Sequence, residues 1–146
     1  MTTTYEVKNV KIHKDMSEET LCFSAAIYAD GKRIGTAKNQ GQGGPNHYEA
    51  DDDEAFKALE AFAKERGTVE EKFSFMETDI FIDELVNEFD WNRILRRDCK
   101  TKTLFRTSDE PNKDSWRVIK AKFSDEIRSY IYSKYGTDAI ILNETI

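Results

Sequence analysis

The chain has 146 residues, 38% of them hydrophobic, and a formal net charge of −6. This length is typical of one domain, and we predict a single domain over residues 1–146. The acidic balance disfavours a general nucleic-acid binder, which needs clustered Lys and Arg, and the lack of a signal-peptide pattern or a long apolar run predicts a cytoplasmic protein without membrane contact.

The first predicted elements form an antiparallel meander. Apolar residues alternate over residues 5–12 with a one-residue slip at Lys8-Asn9, which predicts a strand with a bulge. Alternation over residues 21–29 predicts a second strand, and residues 32–38 are expected to return as a third. Asp30-Gly31 between these two strands is typical of a type I′ turn.

A glycine-rich loop, residues 39–48, follows this meander and carries three of the seven glycines. Glycines let backbone amides approach a ligand closely, and the polar and aromatic residues around them can hydrogen-bond and stack. The spacing matches neither a Walker A loop nor a dinucleotide fingerprint. The alternative is a structural crossover whose glycines only supply backbone angles. The candidate binding residues are Asn39, Gln42, Gly43, Gly44, Asn46, His47 and Tyr48.

Two helical patterns come next. Acidic residues 51–54 precede apolar positions at three- and four-residue spacing, and Gly67 stands where a helix terminator belongs, so we predict a capped helix. A second helical stretch runs from about Thr78 toward Cys99. Its apolar face changes sides after Phe89, so this helix either breaks near Asp90 or is apolar on two sides.

The C-terminal part predicts a β-hairpin and one more helix. Residues 101–106 and 116–122 read as strands joined by a polar segment, residues 108–115, and the apolar tail 139–142 adds a strand or packs. Ser124 is expected to cap a helix that ends at Gly136, with Tyr130 facing inward and Tyr132 outward. The predicted fold class is α+β, with a small antiparallel sheet (N-terminal meander plus a later β-hairpin) packed with about three helices.

Arg93, Arg96 and Arg97 form a second candidate site. They continue the helix face that residues 82–89 direct toward the core, and a guanidinium group in such a place can bind a carboxylate or a phosphate. The alternative is pairing with some of the 28 acidic residues of the same chain. Independently of the arginines, the helical stretch that is apolar on two sides, residues 82–95, leaves open self-association into a homodimer.

Few residues point to catalysis or to a metal. Cys22 and Cys99 fit neither a disulfide framework nor a redox motif and are expected to be free thiols. His47, Glu49 and Asp51 are metal-capable, but acids at a helix start are better explained as caps. No catalytic residue, no metal and no cofactor is therefore predicted.

Several short segments resemble one protein family. They are SEETLCFS at residues 17–24, DGK at 30–32, IGTAKN at 34–39, GQGGPNHY at 41–48, KYG at 134–136 and LNE at 142–144. These segments are similar to a family of small tailed-bacteriophage and prophage proteins that share a glycine-rich N-x-G-x-G-G-x-N-x-Y loop. The resemblance transfers no functional residues. It implies a protein of the host bacterial cytoplasm that acts by binding, for example in counter-defence.

These observations together predict a non-enzymatic binding protein. Its expected partner is a host protein or a small signalling ligand, contacted through the loop, the arginines or both. The alternative is a nucleotide- or nucleic-acid-binding protein that uses the basic stretch from Arg93 to Arg106. An enzyme is the third hypothesis, and it would require His47 or Cys22 to lie in a pocket beside a carboxylate.

Overall fold

The computed structural model describes residues 2–111 and 115–145. Within these residues it has three α-helices, a four-stranded antiparallel sheet and a three-stranded antiparallel sheet, so the predicted α+β class is confirmed. The chain divides into two compact units, Met1–Asp90 and Trp91–Ile146. The expectation of one domain over the whole chain stays a prediction.

The sheet of the first unit has four strands in sequential order. They are β1 (Tyr5–Ile12), β2 (Phe23–Ala29), β3 (Lys32–Asn39) and β4 (His47–Ala50). The β1–β2 register shifts between Lys8 and Lys11, where Asn9 has a φ of 54°, so the predicted bulge is confirmed. Asp30 and Gly31 have φ values of 49° and 84°, as a type I′ turn requires.

Helix α1 (Asp53–Glu65) covers the inner face of this sheet. Its N-cap is Asp52, whose carboxylate accepts from the Ala55 N–H at 3.1 Å, and Gly67 follows its C-cap with a φ of 57°. The predicted capping is confirmed, although the helix begins after the short strand β4, which the sequence did not predict. The core combines residues of the sheet, of α1 and of the next α-helix along the chain: Val7, Ile27, Ile34, Phe56, Leu59, Ile82 and Val86.

Helix α2 (Glu77–Asp98) is unbroken and follows a 3₁₀ helix at Glu71–Met76. Ile82 and Val86 are fully buried in the core of the first unit. Leu95 belongs to a separate cluster with Leu104 and Leu142 in the second unit. Of the two alternatives for this segment, the helix that is apolar on two sides is therefore the correct one.

The second unit has a three-stranded sheet and helix α3 (Asp125–Tyr135). The strand order is β6 (Arg117–Ile119), β5 (Thr103–Arg106) and β7 (Ile140–Ile141), so the apolar tail adds a strand. Part of the predicted polar connection, residues 112–114, lies outside the described residues.

The predicted orientation of two tyrosines in α3 is wrong. Tyr130 is 48% exposed, whereas Tyr132 packs against the cluster that contains Phe105 and Ile131. Both tyrosines are direct neighbours of Ile131, which is fully buried, and lie about 100° to either side of it. The sequence pattern cannot distinguish these two sides, and the packing of the unit buries the side of Tyr132.

Candidate functional site

The side chain of Asn39, the last residue of β3, organises the glycine-rich loop. Its Nδ2 donates to the Gly44 carbonyl and to Asn46 Oδ1, both at 3.0 Å. Its Oδ1 accepts from the Gly41 N–H at 2.8 Å and from the Thr20 hydroxyl at 2.7 Å. These bonds use the full capacity of a carboxamide, so buried Asn39 holds the shape of the loop.

Gly41 fixes the loop against the connection between β1 and β2. It has a φ of 83°, and its carbonyl accepts from the Glu18 and Glu19 N–H groups at 3.0 Å. A Cβ at this position would collide with the Met16 carbonyl oxygen. At Gly44, by contrast, an added Cβ would meet open space. The glycine at position 41 is therefore required by local geometry, while the one at 44 is not.

A polar network connects the end of the loop to the first turns of α2. The Asn46 N–H donates to Asp79 Oδ2 at 3.2 Å, and Asn46 Nδ2 donates to Asp83 Oδ1 at 3.0 Å. The Tyr48 hydroxyl donates to Asp79 Oδ1 and accepts from Asn46 Nδ2 at 3.3 Å. The Tyr48 ring packs on Phe56 with 5.3 Å between centroids. Two carboxylates are thus held next to the loop by groups that the loop and β4 supply.

The network shifts the acid–base behaviour of two of its members. Burial and the hydrogen bond to Asp79 raise the pKa of Tyr48, so its hydroxyl stays protonated and remains a donor. Burial and the nearby charge of Asp79 raise the pKa of Asp83, although the hydrogen bond from Asn46 partly opposes them. Asp83 reaches solvent, yet it lies in a concave site where the surrounding protein disfavours its charge.

These carboxylates border a cleft of about 570 Å³, which we call the acidic cleft. Its lining includes the polar residues Asn46, Asp79 and Asp83. It also includes Phe75 and Met76 of the 3₁₀ helix, which are 72% and 44% exposed. None of the described residues that line the cleft is Lys, Arg or His. The cleft therefore combines negative charge with accessible apolar surface.

The predicted loop residues have different positions around this cleft. Asn39, Gly43, Gly44 and Asn46 line it, and Tyr48 supports Asp79. Gln42 is exposed at the tip of the loop. His47 points to the outer face of the sheet, because side chains alternate along β4, and it lines a different depression.

The three predicted arginines belong to the second unit, whereas the loop belongs to the first. Arg93, Arg96 and Arg97 are exposed on the last turns of α2. Arg97 Nε lies 3.5 Å from Asp98 Oδ1, and Arg93 also interacts with other groups of the chain. Intramolecular pairing with an acidic residue, the alternative raised for this patch, is therefore present at Arg97.

Seven residues that line the cleft were not predicted from the sequence, among them Phe75, Met76, Asp79 and Asp83. The spacing of the two aspartates, one helical turn apart, was a usable signal that both share a helix face. Their proximity to the loop was not predictable, because the hydrogen bonds from Asn46 span 33 and 37 residues.

The described residues give little support for a metal site, a disulfide or a membrane-spanning helix. Residues 2–111 and 115–145 contain no group of three or more His, Cys, Asp or Glu side chains placed to hold a metal ion. Cys22 and Cys99 are free thiols, as predicted. Among the same residues no helix has the length and hydropathy needed to cross a membrane.

Comparison with known proteins identifies no relative. No protein-family model matches the chain, and no curated protein or solved structure matches it significantly. The resemblance to phage proteins stays a prediction, and the function has to be inferred from the site itself.

Proposed function

We propose that this chain is a non-enzymatic binding protein whose acidic cleft receives a basic side chain of a partner protein. The observation that carries the proposal is that Asp79 and Asp83 line the same cleft as the exposed Phe75 and Met76. Lys and Arg side chains have a cationic end and an apolar stem, so they match both kinds of lining residue. A segment with a basic residue beside an apolar one fits this chemistry best.

Asp83 is the residue with the most free capacity for such a ligand. Asp79 accepts from Tyr48 and from the Asn46 N–H, whereas Asp83 accepts from Asn46 through Oδ1. No hydrogen bond to Asp83 Oδ2 is present among the described residues. The raised pKa of Asp83 means that its charge is disfavoured in the free protein, so an approaching cation gains by stabilising it.

The groups in the cleft support binding rather than catalysis. The Tyr48 hydroxyl is protonated and engaged with Asp79, and both side-chain ends of Asn46 are hydrogen-bonded within the protein. A nucleophile paired with a base, which covalent catalysis needs, is not found among the described lining residues. The resemblance to phage proteins makes a host protein the expected partner, with counter-defence as the context.

The alternative nucleic-acid function gains less support. The Arg106 guanidinium lies over the Trp116 ring at 4.8 Å, and Arg97 pairs with Asp98. Two arginines of the predicted basic stretch, Arg97 and Arg106, are therefore engaged within the second unit, and the Trp116 ring already lies against an arginine.

The test uses two peptides that differ only in charge, acetyl-Leu-Arg-Leu-amide and acetyl-Leu-Gln-Leu-amide, titrated into ¹⁵N-labelled protein. We expect saturable shifts of the Gly43, Asn46 and Asp79 amides with the arginine peptide. The affinity should fall about tenfold in Asp83→Asn, because a charge-assisted contact is lost.

The matched control is Asp53→Asn, which removes the same charge from an exposed position at the start of α1. This variant should bind the arginine peptide as the wild type does. An equal response to both peptides, or no saturable shift at these amides, would refute the proposal.

A further inference from the structure

A second depression, of about 370 Å³, lies on the outer face of the first sheet. The strand register places four of its side chains in one row across the sheet. Lys11 of β1 pairs with Ser24 of β2, Ser24 with Lys38 of β3, and Lys38 with His47 of β4. All four residues line the depression, which we call the basic furrow.

Small residues form the floor of the basic furrow. Ser24, Ala26 and Thr36 line it, and Ala26 is only 5% exposed although it points to the outer face. Neighbouring strands are about 4.8 Å apart, so the backbones at Lys11 and Lys38 are separated by about 10 Å. Two long side chains at that separation can reach one group held above Ser24.

The charges of the basic furrow are largely unpaired, in a protein with a net charge of −6. Arg33 also lines the furrow but has a partner, since its Nε lies 2.8 Å from Asp51 Oδ2, and nearby Lys8 Nζ lies 3.8 Å from Glu6 Oε1. Lys11 and Lys38 form no ion pair with any of the described residues. Two like charges on side chains attached about 10 Å apart repel, and a bound anion would relieve this repulsion.

Glu49 limits where an anion can lie. Among the described residues that line the basic furrow, Glu49 is the one with a carboxylate. It pairs with Thr36 in the adjacent row of the sheet. An anion is therefore directed to the row of Lys11, Ser24 and Lys38. At the far side of the same face, the Tyr28 ring is covered by Lys8 Nζ at 4.6 Å, so it is not open for stacking on a nucleobase.

We propose that the basic furrow binds a small phosphorylated ligand, of the size of a di- or triphosphate. The lysines supply point charges for the phosphate oxygens, and the Ser24 hydroxyl supplies a donor at the floor. The volume lies at the lower end of the range for small-molecule sites, about 300 to 1,000 Å³. A nucleic-acid strand fits less well, since the imidazole of His47 is the single ring in the row, whereas successive bases need several rings for stacking.

The probe for this site is inorganic pyrophosphate, titrated into ¹⁵N-labelled protein at constant ionic strength. We expect saturable shifts of the Ser24, Thr36 and Lys38 amides. The double variant Lys11→Gln/Lys38→Gln should bind at least tenfold more weakly. All four substituted positions in this variant and its control are exposed, so both proteins should keep the wild-type circular dichroism spectrum.

The matched control is Lys57→Gln/Lys64→Gln, which removes the same charge from exposed positions on α1. It should bind pyrophosphate within twofold of the wild type. Equal weakening in both double variants would show general charge attraction and overturn the proposal. Saturable binding of a twelve-nucleotide single-stranded DNA, with no competition from pyrophosphate or a nucleoside triphosphate, would overturn it in favour of a nucleic-acid surface.

Discussion

The acidic cleft and the basic furrow both involve residues of β3 and β4 but differ in how firmly their groups are held. In the cleft, Asn39, Asn46 and Tyr48 are joined to the carboxylates by a continuous hydrogen-bond network. In the furrow, Lys38 and His47 are exposed side chains on the outer face of the sheet. The groups of the cleft are thus preorganised, and their hydrogen bonds contribute to the stability of the fold. Charged side chains of the furrow, by contrast, can be substituted with little effect on folding.

The largest effect on this comparison is expected from Gly41→Ala. The alanine would be strained at a φ of 83° and would collide with the Met16 carbonyl, so we expect a loss of about 2 to 4 kcal/mol in the free energy of unfolding. Gly44→Ala should change it by less than about 0.5 kcal/mol, because the site is open. Urea denaturation measures both, and equal losses would contradict the described loop geometry.

A smaller difference is expected between two adjacent residues, Tyr48 and His47. Tyr48→Phe keeps the ring packed on Phe56 but removes the hydroxyl between Asp79 and Asn46, which should cost about 1 to 2 kcal/mol of stability. His47→Ala, on the exposed outer face, should cost less than about 0.5 kcal/mol. Thermal or urea unfolding of the pair checks this, and a greater loss for His47→Ala would reverse our assignment of faces.

The smallest effect concerns pH and Asp83. Its raised pKa means that the folded protein binds more protons than the unfolded chain, so this residue's contribution to stability is lost as pH rises through the folded-state pKa. Asp83→Asn removes this titration. The stability of the variant relative to the wild type should therefore increase from about pH 4 upward.

Urea unfolding at several pH values between 4 and 7 measures this difference. The furrow variant Lys11→Gln/Lys38→Gln is the comparison, because it leaves Asp83 and the other groups of the cleft unchanged. If the difference in the free energy of unfolding between Asp83→Asn and the wild type stays constant over this pH range, the cleft does not disfavour the charge of Asp83.

Elements with local signals could be predicted from the sequence. The cap of α1, the turn at Asp30-Gly31 and the bulge at Asn9 each depend on residues next to one another in the chain. Strand β4 could not be predicted, because its four residues, HYEA, form too short a segment for a clear alternation of apolar and polar side chains. Only one of them is even half-buried in the structure. It forms through backbone pairing with β3, which a local pattern does not reveal.

The candidate site was predictable only in part for the same reason. The loop residues Asn39, Asn46 and Tyr48 stand out in composition, and they do lie at or beside the cleft. Their carboxylate partners, Asp79 and Asp83, are more than 30 residues away along the chain. The basic furrow was also missed, since Lys11, Ser24 and Lys38 are brought into one row only by strand register.

The alternation of side chains along β3 and β4 also has an evolutionary consequence. Lys38 and Asn39 are neighbours in the chain but serve opposite faces, so a one-residue insertion or deletion within either strand would exchange the two surfaces and expose the core. Length changes are instead expected at the exposed loop tip around Gln42. Homologous chains should therefore vary in loop length while the paired positions of both strands keep their spacing.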